Sequence, residues 1–139
     1  MISRRKVKGR AERGSFMAIP HVVMSHPDYI NLSYKSKVLL FDLAFQFRGK
    51  NNGDLTAAPS VLRKRGWVRA NTISDAIKEL VAANLIIRTR EGRFMNPHSR
   101  CALYALTWHQ IDDCYNKDLD VCPTTSPNRR FTKNGKMCL

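Results

Sequence analysis

Apolar side chains recur along this chain first with a helical period and then with the run pattern of strands. Leu39, Leu40, Leu43, Ala44 and Phe47 fall on one face of a helix drawn from Tyr34 to Phe47. Ser33 stands where an N-cap is expected, and Gly49 where a left-handed residue closes a helix. Before it, Pro20 and Pro27 divide the mixed segment from Phe16 to Leu32, which predicts one or two short helical turns packed on the core. After it, 50–53 reads as a turn and Asp54-Leu55-Thr56 as a short strand. Pro59 opens a second helix from Ser60 to about Arg65, stopped by Gly66. Trp67 and Val68 lead to a third helix, about Ala70 to Ala83, with Ile73, Ala76, Ile77 and Leu80 on one face and Asn84 as its C-terminal cap. Residues 85–90 and 102–108 then read as two strands around a basic turn, rich in residues that suit a pleated surface.

The order helix, short strand, helix, tight turn, helix, strand, basic turn, strand predicts a mainly α fold with a small antiparallel β-hairpin, an α+β winged helix-turn-helix. The short strand before the second helix is expected to pair with the hairpin. Gly66-Trp67-Val68 supplies the glycine-containing turn that two such helices need. Residues 1–14 are read as a flexible basic arm, 15–111 as the folded domain, and 112–139 as an extended, largely irregular C-terminal tail.

Charge sharpens this picture. The chain has 139 residues and a formal net charge of +13. The arm carries Arg4, Arg5, Lys6, Lys8, Arg10 and Arg13 against Glu12, yet 15–110 is basic as well, which favours a binding surface for a polyanion. If Ile73, Ile77 and Leu80 face the core, then Arg69, Asn71, Thr72, Ser74, Asp75 and Lys78 lie on the outer side or near the start of the third helix. Such a helix reads base edges in a major groove with its N-terminal part. Asn71 suits adenine, Arg69 suits guanine or a phosphate, and Lys78 suits a phosphate. Asp75 is discordant there; it either accepts from a cytosine amino group or pairs with Arg69 or Lys78. Arg63, Lys64 and Arg65 end the second helix, where cations also suit the helix dipole. Arg88, Arg90, Arg93 and Arg100 flank the hairpin turn and can line a phosphate ridge or a minor groove. The N-terminal arm either reaches an adjacent minor groove or adds only nonspecific attraction.

Several stretches together carry a resemblance. Residues 31–33 leading into 38–44 and 49–55, then 73–80 with 84–86, and 104–108 with 111–112, resemble winged helix proteins of bacterial mobile elements and phages. The likeness covers about residues 15–125 and rests on the order and spacing of the motifs. It implies sequence-specific binding of double-stranded DNA, as a transcriptional regulator or replication-associated factor. One departure is that Arg69 stands where the family has a capping Ser or Thr, which leaves Asn71 as an alternative cap.

Other classes fit less well. No glycine-rich phosphate loop, paired-carboxylate site or Ser-His-Asp arrangement stands out, so no enzyme and no cofactor are expected. His98, Cys101, His109, Cys114 and Cys122 are irregularly spaced rather than in ligand pairs, so no metal is expected and the cysteines read as free thiols. No apolar run of about 18 residues is present, so no membrane span is expected and a cytoplasmic location follows. Tyr104 and Trp108 are read as packing residues rather than an RNA-stacking platform. A homodimer is a further expectation, with the N-terminal segment or the residues after Trp108 to provide it. The competing reading is a winged-helix protein-interaction module that blocks a host defence complex, such as a CRISPR effector.

Overall fold

The computed structural model describes residues 14–93, 99–115, 117–131 and 137–138. Residues 1–13 of the expected arm at 1–14, the hairpin tip at 94–98 and the side chains beyond 131 lie outside the described residues. Two four-residue helices, α1 (His21–Met24) and α2 (Pro27–Ile30), precede the long helix α3 (Tyr34–Gln46). Strand β1 (Leu55–Thr56) leads to α4 (Pro59–Leu62), which continues as a 3₁₀ turn over Arg63–Arg65. Helix α5 (Ala70–Ala82) is followed by β2 (Ile86–Arg90) and β3 (Leu103–Leu106). A last pair, β4 (Arg130–Phe131) and β5 (Met137–Cys138), is antiparallel. The result is a mixed α and β protein with a small antiparallel sheet in the order β1-β3-β2.

The element boundaries follow from local chemistry. The Ser33 hydroxyl accepts from the Ser36 amide at 3.3 Å and starts α3 as expected. Glu79 of α5 accepts from the amide and the hydroxyl of Ser33, so the same cap joins the two long helices. The end of α3 differs from expectation. Phe47 leaves the helix in an extended conformation, and Gly49, with φ of +101°, turns the chain only afterwards. The Asn51 side chain takes the capping role instead, donating to the Gln46 carbonyl at 2.9 Å and accepting from the Arg48 amide.

Gly66 and Asn84 are left-handed, with φ of +96° and +57°. Each closes its helix by the same pair of bonds: Gly66 to Arg63 and Trp67 to Leu62, Asn84 to Val81 and Leu85 to Leu80. These two closures fix the turn into α5 and the exit from it. Helix α5 starts at Ala70 with Arg69 at the cap position and no capping side chain, so Asn71 lies within the first turn.

The core is made by the predicted faces. Leu39, Leu40 and Leu43 of α3, Ile73, Ala76, Ile77 and Leu80 of α5, and Leu55, Leu62, Leu85, Ile86 and Leu106 are buried. Tyr104 and Trp108 are buried too, as packing residues. In the sheet Leu55 faces Tyr104 and Ile86 faces Leu106, and a register shift between Arg88 and Arg90 bulges β2 at Thr89. The Thr89 hydroxyl is tied to the Gly53 carbonyl at 2.6 Å.

Residues 112–115 and 117–129 are irregular in backbone and nevertheless packed. Asp112 exchanges two bonds with Asn52, the Asp120 amide donates to the Thr89 carbonyl, and the Arg129 amide donates to Thr107. The Arg129 side chain is buried; its guanidinium donates to the Ala83 and Asn84 carbonyls and to Asp28, and lies 3.1 Å from His26. Among the described residues no helix is long and apolar enough to cross a membrane.

Candidate nucleic-acid interface

The outer side of α5 is the first part of the site. Burial of Ile73, Ala76, Ile77 and Leu80 turns Arg69, Asn71, Ser74, Asp75 and Lys78 to solvent, because side chains repeat on one helix face at three and four residues. Thr72 is half-buried and sits in a groove beside Arg69. Among the described residues none of the five exposed side chains is held by a hydrogen bond or an ion pair. Asp75 therefore pairs with neither Arg69 nor Lys78.

The approach to this helix is basic. Arg63, Lys64 and Arg65 lie in the 3₁₀ turn and are all exposed. Arg65 is partly engaged: its Nε lies 3.3 Å from Asp42, and its guanidinium sits 4.2 Å from the Phe45 ring. Asp42 also accepts from the Trp67 indole at 2.7 Å. This one buried carboxylate thus anchors the turn between α4 and α5 onto α3. Nothing in the residue pattern singled it out, since an Asp on an otherwise apolar helix reads as solvated; its two partners are distant in sequence.

The hairpin arginines are not equivalent. Arg88 donates to the Tyr104 hydroxyl at 3.4 Å, which is the main cause of its raised pKa, and lies 3.3 Å from Glu91, which adds to it. Arg90 donates twice to the Cys101 carbonyl. Arg100 donates to the Glu91 carbonyl and ion-pairs with Asp120 and Asp118. The guanidinium groups of Arg90 and Arg100 are therefore committed to the chain itself. Arg93 is exposed, and its backbone bridges that of Arg100 through two 2.8 Å bonds. The Glu91 amide, and then Arg100, hold the Asp120 carboxyl below its ordinary range, so an acid of the C-terminal segment braces the base of the hairpin.

The turn pattern at 50–53 gives Asn52 no role of its own. Asn52 is fully buried, and its amide group brackets the Leu106 peptide while also donating to the Gln110 carbonyl. It continues the pairing of β3 where β1 has not yet begun. The only early sign of this role is a polar side chain in a tight Asn-Asn-Gly turn.

Among the described residues the histidines and cysteines do not converge, and His98 lies outside them. Cys101 and Cys122 are exposed, Cys114 is buried, and His109 stacks on Phe47 at 4.5 Å. Burial lowers the His109 pKa and pushes the Cys114 thiol up to about 11. Among the described residues no group of three or more metal-ligating side chains is found. No family model matches the chain, and no curated protein or solved structure shows significant similarity to it.

Proposed function

We propose that the chain is a winged helix-turn-helix protein that binds double-stranded DNA in a sequence-specific manner. In this reading α4 and α5 form the helix-turn-helix, and β2, β3 and their connection form the wing. The supporting observation is the outer side of α5: Arg69, Asn71, Ser74 and Lys78 are exposed and unengaged, beside the exposed basic turn 63–65. Amide, hydroxyl and cationic groups held on a rigid helix suit base edges and phosphates. The N-terminal half of α5 enters the major groove, Asn71 and Arg69 contact base edges, and Lys78, Arg63, Lys64 and Arg93 contact the backbone. Arg88, Arg90 and Arg100 shape the hairpin that carries Arg93. The biological role that fits best is a transcriptional regulator or replication-associated factor of a phage or mobile element.

Selection from a pool of randomised duplexes tests this. A short enriched motif supports the proposal. A pool that stays random after repeated rounds, with retention lost as salt rises, would reduce the interaction to net charge.

A further inference from the structure

Helix α3 is apolar on two opposite sides. Leu39, Leu40, Leu43 and Ala44 face the core. Tyr34, Val38, Phe41 and Phe45 follow an i, i+4, i+7, i+11 spacing, which aligns them on the opposite side. All four are exposed, Tyr34 at 84%. At its N-terminal end this line runs into an open groove of about 420 Å³, where Trp67 and Val68 join Tyr34 and Val38. Val68 is 85% exposed. A surface helix ordinarily presents polar side chains outward, and a contiguous apolar patch with a polar rim marks a docking surface.

The rim identifies the occupant. Lys35, Arg65 and Arg69 border the groove. Lys37 lies 5.7 Å from the Tyr34 ring, and Arg48 lies 5.8 Å from that of Phe45. The one acid of α3, Asp42, is buried against Arg65 and Trp67. Asp75 and Glu79 open on a neighbouring cleft, and Glu79 is held by Ser33. A second copy paired through this face would set cations against cations without an acid to offset them. Residues 1–13, with six cations and one acid, meet the same objection. Duplex DNA brings anions but, beyond scattered thymine methyls, no continuous apolar surface to cover Val38 and Phe41.

The geometry points to an acidic amphipathic helix of a partner protein, lying along α3. Its apolar stripe covers Val38, Phe41 and Phe45, and its carboxylates meet Lys35, Lys37 and Arg65. Helix-in-groove docking uses this spacing of anchors.

The test titrates the full chain into a labelled synthetic helix with Leu at i, i+3, i+4 and i+7 and Glu elsewhere. The controls are a scrambled peptide and one with Lys in place of Glu. The acidic amphipathic peptide is expected to bind at least about ten-fold more tightly than either control. Val38→Glu and the milder Val38→Ser are each expected to weaken it, with the unfolding midpoint retained. Lys35→Glu is expected to weaken the acidic peptide while strengthening the Lys peptide. Equal binding of the scrambled peptide, or no effect of the Val38 variants, overturns the proposal. Light scattering that shows a dimer split by Val38→Glu assigns the face to a second copy. A matching loss of duplex affinity in that variant assigns it to DNA.

Discussion

Single buried polar groups set much of the geometry at the residue scale. Asp42 accepts from both Arg65 and Trp67, so its removal leaves an indole N–H without its acceptor and frees the turn before α5. Asp42→Ala is expected to destabilise the fold by about 1–3 kcal/mol, measured by denaturant unfolding. Asp42→Asn, which retains an acceptor oxygen, is expected to cost less. An Ala variant as stable as the parent would refute the anchoring role. Cys114 gives a second prediction at this scale. Its thiol is buried and its pKa is raised to about 11, first by burial and then by Asp54, Asp112 and Asp113. At about pH 8 the thiolate is the reactive species, so exposed Cys101 and Cys122 are expected to be alkylated well before Cys114. Peptide mapping by mass spectrometry reads the order directly. The sign for stability follows: an unfolded thiol ionises lower, so unfolding releases a proton between about 9 and 11 and the stability contribution of this burial falls across that window. These roles were not legible in the sequence, because Asp42 and Asn52 meet their partners through contacts 20 or more residues away, and Cys114 is buried against the equally distant Asn52 carbonyl.

At the scale of elements, more was legible. The buried face of α5, its start near Ala70, the left-handed residue at Asn84 and the short strand at Leu55 all followed from periodicity and turn chemistry. Local rules suffice where the determining contacts are three or four residues apart. They failed at Gly49, where Asn51 competes successfully for the helix end, and for the hairpin arginines, which the run of cations did not distinguish. The helix and the hairpin have separable expected effects. Asn71→Ala is expected to reduce discrimination between sequences, costing roughly 1–3 kcal/mol on the preferred site. Arg93→Ala is expected to weaken all duplexes alike and lower the salt slope by about one phosphate. Parallel titrations of each variant against preferred and scrambled duplexes separate the two. Identical behaviour would mean that α5 and the hairpin do not have distinct roles.

Across the whole molecule, the irregular C-terminal segment binds the parts together. It carries no periodic pattern, so its packing could not be read from the sequence; side chains such as Asp112, Asp120 and Arg129 secure it one by one. Arg129 reaches the carbonyl end of α5 and the acid of α2 at once. Arg129→Ala is expected to destabilise the protein by about 1–3 kcal/mol, because the half-exposed Asp28 is only partly desolvated while the helix carbonyls lose a charged donor. Thermal unfolding checks this, and an unchanged midpoint would show that the segment is not part of the folded unit.

The proposed function turns on specific recognition of duplex DNA. Fluorescence anisotropy against duplex from the region flanking its own gene, and against scrambled duplex of equal length, tests it most directly. The two titrations are made at two salt concentrations. Tighter binding of the native duplex is expected at both, with affinity for each duplex falling steeply as salt rises because phosphate contacts release counterions. Equal, weak binding of both duplexes, or none at the higher salt, would contradict it.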